Sequence, residues 1–235
     1  MPFFDDIGVR DEPRGPIWEA FASLADQVER LVAVNVGWAV QLLPGVLGLA
    51  FPEWPLWLRI ALLLYSATAL VPLTGALYAL VYRAAERDHI SLEVTRETLR
   101  ELAVPSFRTL APLFGTFGVL VWAWIILQTT APQLTSLISL VVVASLLWLV
   151  CATYWGPLLA DQPDLSALAI ARRSVALVWR YPGETLATVA ATVLAALIGI
   201  VSIGGLVLIA PVLIALLQTC RYMQLADRER VRSGS

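Results

Sequence analysis

The sequence predicts an all-α polytopic transmembrane helical bundle with six spans, both chain ends on the cytoplasmic side (N-in/C-in), and amphipathic cytoplasmic connector helices. Three observations predict it. Hydrophobic residues make up 59% of the 235-residue chain and charged residues only 14%, against roughly 25% charged in soluble domains. Charges are absent from 31–52, 60–82, 109–160 and 185–220, windows of 22, 23, 52 and 36 residues, and about 20 apolar residues suffice for a helix to cross the hydrocarbon. The basic residues, all 16 of them Arg, fall on alternate segments between those windows. A soluble enzyme and a nucleic-acid binder are excluded. The net charge of −2 supplies no basic field for nucleic acid.

Each span follows from a window. The first two windows give one span each, about 31–51 and 60–82. The 52-residue window holds two helices, separated at its weak point, Gln128-Thr-Thr-Ala-Pro-Gln133, so that spans three and four cover about 109–129 and 134–158. Gly204-Gly205 is the strongest local breaker in the last window. It divides that window into spans of about 185–203 and 206–220, with one long tilted or re-entrant element as the competing reading. The chain thus divides into a cytoplasmic N-terminal segment (1–30), a transmembrane domain (31–220) and a cytoplasmic tail (221–235). The N-terminus is acidic and lacks the order of a cleavable signal peptide.

Counting Arg between spans gives 15 on one set of alternate segments and Arg59 alone on the other. The positive-inside rule puts the N-terminus, both long loops and the tail in the cytoplasm. Trp54 and Trp57 are then expected at the outer interface and Trp155 near the inner one. Three connector segments show helical apolar stripes. Ile17, Phe21, Leu24 and Val28 mark the first. Leu92, Thr95, Leu99 and Leu102 mark the second, which Pro105 is expected to end. Leu165, Leu168, Ala171, Val175, Val178 and Trp179 mark the third, with Asp164 as its expected cap. Helices of this kind lie in the headgroup plane. Arg172 and Arg173 on the third are candidate contacts for lipid headgroups. The units Pro72-Leu-Thr-Gly and Pro157-Leu-Leu-Ala, each leading into a connector, echo a parallel repeat.

No Asp, Glu, Lys, Arg or His falls within any expected span. Such a residue would mark a proton or ion path, and its absence argues against coupled transport and against acid–base catalysis. His89 is read as a solvated loop residue, and Cys151 and Cys220 as apolar packing residues. No cofactor or metal is expected. The intramembrane polarity is neutral: Asn35 and Gln41 in the first span, Thr74 in the second and Thr116 in the third, with Ser66 and Thr68 beside them. Interhelical hydrogen bonds are the expected use of these groups, a solute path the alternative. Trp38 is expected to fill space beside Asn35. Pro44-Gly45 and Pro72 are expected to kink or break their helices. Ala187, Ala191, Ala195 and Gly199 recur every fourth residue, a spacing that brings two helices close within the monomer or, as the minority reading, across a homo-oligomer seam.

Three features together resemble the YesL-like family of bacterial integral membrane proteins, a family of unknown function. They are Asn35-Val-Gly-Trp38, the run from Pro72 to Arg83, and the passage from Pro157-Leu-Leu-Ala through Leu165–Ser174 to Tyr181-Pro182. The resemblance covers roughly residues 15–200. Such proteins are often found beside carbohydrate-uptake systems. The resemblance therefore implies an accessory role in solute import; with the charge-free core and the Arg- and Glu-rich connectors, the expected protein is a non-enzymatic, multi-pass inner-membrane protein, an accessory or assembly factor partnered by the lipid bilayer and a transporter subunit. The alternative is a carrier or facilitator for a neutral small solute.

Overall fold

The computed structural model describes residues 28–86, 88, 91–201 and 209–233. Among these, all regular structure is helical. The elements in chain order are α1 (Val28–Ala50), α2 (Leu56–Ala85), α3 (Leu92–Thr130), α4 (Thr135–Ala152), α5 (Trp155–Asp161), α6 (Ala167–Arg180), α7 (Pro182–Val201) and α8 (Ala210–Ser233). Five stretches are long and apolar enough to cross a membrane: Val32–Ala50, Leu56–Ala85, Glu93–Thr130, Thr135–Asp161 and Pro182–Gly199. The expected sixth span begins in 202–208, outside the described residues, as does its Gly204-Gly205 turn. The first connector stripe, apart from Val28, and His89 lie outside them too.

The surface is what lipid requires. No residue of α4 is buried, and Leu140 and Leu147 are 62% and 60% exposed. A helix that is apolar all round is stable only where its surroundings are apolar too.

Hydrogen bonds fix how the helices run. Trp38 Nε1 donates to Thr74 Oγ1 at 3.2 Å, the Gly45 amide to Ser66 Oγ at 2.7 Å, and Arg59 Nε to the Gly48 carbonyl at 3.0 Å. These pairs run in opposite chain directions, so α1 and α2 are antiparallel. Trp148 Nε1 donates to the Leu113 carbonyl at 3.1 Å and to Thr116 Oγ1 at 2.9 Å, joining α4 to α3. Arg228 of α8 bonds Glu184 of α7 at 3.0 Å, which sets the end of α8 beside the start of α7. Asp161 bonds Tyr82 and Tyr222, and Arg180 bonds Glu229, so the ends of α2, α5, α6 and α8 and the start of α7 gather at one end of the bundle. Arg59 lies at the other end, bonded to a last-turn carbonyl of α1, where a cation complements the helix dipole. Two apolar cores flank α2. One joins Leu80 and Val81 to Val212 and Leu216. The other joins Leu110, Tyr154, Leu159, Ile170 and Leu225.

Four sequence expectations need correction. Pro44 and Pro72 lie inside α1 and α2, which are not broken there, so of the two outcomes expected at each proline, kink or break, only the break is overturned. Ser66 accepts the Gly45 amide, the sort of side-chain substitute that lets proline persist in a membrane helix. Pro105 does not end a connector helix: α3 is one 39-residue helix containing both Pro105 and Pro112, about 58 Å long at 1.5 Å per residue. Its buried face, Thr98, Leu102, Ser106, Thr109 and Leu113, passes unbroken across Pro105, so packing outweighs the lost backbone bond. The α6 cap is Ser166, whose side chain accepts from the Ala169 amide, rather than Asp164. Trp155 is buried rather than placed in an interfacial belt: it is 4% exposed, meets Trp148 edge-on at 4.7 Å and donates to Ser174 Oγ at 3.1 Å. The stripe on α6 also divides. Leu165, Ala171 and Val178 pack on the core, while Leu168, Val175 and Trp179 are exposed.

Candidate functional site

The hydrogen bonds of Thr74, Gln41 and Thr116 lie at two helix seams, α1–α2 and α3–α4. Thr74 and Trp38 bond each other across α1 and α2. Gln41 accepts from Tyr65 Oη at 2.6 Å on an exposed part of the same seam. Thr116 serves the α3–α4 seam. Asn35 is fully buried on α1. Pro72 lies inside α2, part-buried. On α7, Ala191 and Ala195 pack against the core that includes Leu216 of α8, Gly199 is buried and Ala187 is exposed. Two of the four small residues, Ala191 and Ala195, thus face a neighbouring helix of the same chain. Arg172 and Arg173 are both exposed on α6.

Charge and polarity converge instead at the gathered helix ends. A cleft of about 640 Å³ opens there between α5, α6 and α8, lined by Asp161, Gln162, Arg173, Arg180, Glu229 and Arg230. Asp161 is held from three directions. Tyr82 Oη of α2 donates to its Oδ1 at 3.1 Å, Tyr222 Oη of α8 to its Oδ2 at 2.7 Å, and Gln162 Nε2 to its Oδ2 at 3.0 Å. Gln162 in turn accepts from Arg173 through its Oε1. Asp161 and Arg173 thus line one cleft without pairing, an amide group between them. Burial, followed by the neighbouring Asp161 carboxylate, pushes the Tyr222 hydroxyl well above its ordinary value.

Glu229 holds the rim. It accepts from Tyr181 Oη at 2.7 Å and pairs with Arg180. The Tyr181 hydrogen bond, aided by the Arg180 charge, holds its carboxyl below the usual carboxylate range. The same bond raises the Tyr181 hydroxyl. The Arg180–Glu229 pair is exposed and the Tyr181–Glu229 bond part-buried, so solvent screens the ion pair; together they join α8 to the end of α6 and the start of α7.

Sequence reading missed Asp161, Gln162, Tyr82, Tyr222 and Glu229. One signal was present: Asp161 is the first charge after the 52-residue charge-free window, so it must lie at a span's end. Its partners come from positions 79 and 61 residues away, and no local pattern reveals them. Among the described residues no group of three or more His, Cys, Asp and Glu side chains is arranged to hold a metal ion. Searches with protein-family models, curated proteins and solved structures found no match to this chain.

Proposed function

We propose that the chain is a non-enzymatic, multi-pass protein of the bacterial inner membrane, of six spans with both ends cytoplasmic, that serves as an accessory or assembly factor for a solute-uptake system. The single observation that carries this reading is the separation of polarity. Trp38, Gln41, Ser66, Thr74 and Thr116 are engaged in hydrogen bonds at helix seams, whereas charged side chains with spare donors gather at one end. A body that is apolar between its ends and charged at one of them suits contact with another membrane protein better than passage of a solute. The antiparallel run of α7 and α8 supports a sixth crossing, because it returns the chain to the end where α7 begins. The resemblance to the YesL-like family supports the association with carbohydrate import.

Affinity purification from gently solubilised membranes tests the proposal. A subunit of a solute importer is expected to co-purify in fixed ratio. Recovery of the protein alone and monodisperse in several mild detergents contradicts it.

One observation favours the carrier reading. The hydroxyls of Thr98, Ser106 and Thr219 and the Nε of Arg221 are buried without a protein hydrogen-bond partner, as the walls of a polar path would be. Liposome uptake of a neutral solute, abolished by Asn35→Leu, would establish that reading.

A further inference from the structure

The cleft at the gathered helix ends holds two opposite charges that do not pair. Arg173 makes no ion pair among the described residues, and the hydrogen bond described for it goes to the neutral amide of Gln162. The guanidinium has five donors, so most of its capacity is unspent. Among the described residues Asp161 accepts from neutral donors, two tyrosines and the same amide. Gln162 therefore spaces a cation from an anion along one wall of the cleft.

That arrangement matches a zwitterion. A simple anion would face the carboxylates of Asp161 and Glu229 in the same space, and a simple cation would face Arg173, Arg180 and Arg230. Arg recognises phosphate by planar, multiple donation, and a carboxylate accepts from a primary ammonium. The depth is also that of a headgroup. Tyr82 is in the last turn of α2, Asp161 ends the Thr135–Asp161 stretch, and Pro182 opens the next apolar stretch only two residues after Arg180. Trp179 on the rim is 81% exposed, as an interfacial tryptophan is.

We propose that this cleft receives a phosphoethanolamine group, with the phosphate on Arg173 and the ammonium on Asp161. The inference requires the bundle to sit in lipid but not the accessory role: a chain that recruits no transporter subunit can still bind the headgroup, and the reverse.

The test uses the full chain in detergent, freed of lipid, with binding read by native mass spectrometry against phosphatidylethanolamine, phosphatidylglycerol and soluble phosphoethanolamine. Phosphatidylethanolamine is expected to bind about tenfold or more tighter than phosphatidylglycerol. Asp161→Asn should erase that preference, and Arg173→Gln should weaken both lipids by about tenfold or more, the effect of losing a charged hydrogen bond. Equal binding of the two lipids by the wild-type protein overturns the proposal, as does phosphatidylethanolamine affinity unmoved by Arg173→Gln. Arg173 is exposed, so its variant remains decisive if Asp161→Asn fails to fold. Soluble phosphoethanolamine that displaces the lipid at millimolar concentration identifies a free metabolite as the source. Failure to displace it identifies the membrane lipid. Either result supports the zwitterion chemistry, and absence of all binding removes it.

Discussion

Gly156, the second residue of α5, packs against an aromatic ring with no room for a side chain. A Cβ added there would meet three ring atoms of Tyr78 at 2.3–2.4 Å, well inside van der Waals contact, so the ring must move. The ring cannot swing freely, because its hydroxyl bonds Gln218 of α8. Overpacking of this kind costs about 1–3 kcal/mol, and losing the hydrogen bond about 1 kcal/mol more. Alanine's better helix propensity returns at most about 1 kcal/mol. The Gly156→Ala variant should therefore lose about 2 kcal/mol. Gly37 is the matched control: nothing lies within 4 Å of a Cβ there, so Gly37→Ala should be neutral or gain up to about 1 kcal/mol. Reversible unfolding in mixed micelles, followed by circular dichroism, measures both. A Gly156→Ala protein as stable as Gly37→Ala would refute the close approach of α5 to α2.

Other predictions follow from single contacts. Ser66→Ala removes the acceptor for the Gly45 amide and should cost about 1–3 kcal/mol in the same assay, the penalty of an unsatisfied buried donor; Ser66→Thr, which keeps the hydroxyl, should recover most of it. Trp148→Phe deletes the donor shared by Leu113 and Thr116 and should loosen the α3–α4 seam by about 1 kcal/mol, detected as faster cross-linking or proteolysis of the α3–α4 turn. The Tyr181–Glu229 contact should be pH-dependent at both extremes. Glu229 titrates below its unfolded value, so its contribution is present above about pH 4.3 and is lost as the pH falls through the folded value. Tyr181 titrates above its own, so its contribution is present below about pH 10 and is lost as the pH rises further. Hydrogen-exchange protection factors in the last turns of α8, corrected for the intrinsic pH dependence of amide exchange, should be flat between those limits and fall outside them. In Tyr181→Phe the acid edge should move up toward an ordinary carboxylate; an unmoved edge would show that Tyr181 does not hold Glu229.

What was legible in the sequence was whatever a local pattern records. Charge-free windows marked the apolar helices, because a charge in hydrocarbon is costly enough to be excluded by composition alone. Of the every-fourth series, Ala191 and Ala195 pack on the core that includes residues of α8, while Ala187 is exposed. Local rules failed where tertiary packing overrode them. Pro105 reads as a breaker, but the apolar face on both sides of it docks continuously. Trp155 reads as an interfacial residue, but it is enclosed by Trp148 and Ser174. Asp164 and Ser166 are both competent caps, and only the geometry of the α5–α6 turn selects Ser166. The cleft was the least legible feature. Asp161, Tyr82 and Tyr222 come from three helices distant in the chain, and each alone reads as an ordinary residue at a span's end.

The central claim is that six crossings return every arginine-rich segment to one face. It is tested most directly by single cysteines, in a background lacking Cys151 and Cys220, probed in intact cells with a membrane-impermeant thiol reagent. Four exposed positions serve: Glu53, Asp88, Asp164 and Asp227. The account predicts that Glu53→Cys reacts from outside and that the other three react only after the membrane is opened. Labelling of Asp227→Cys in intact cells would place the tail on the opposite face and contradict the account.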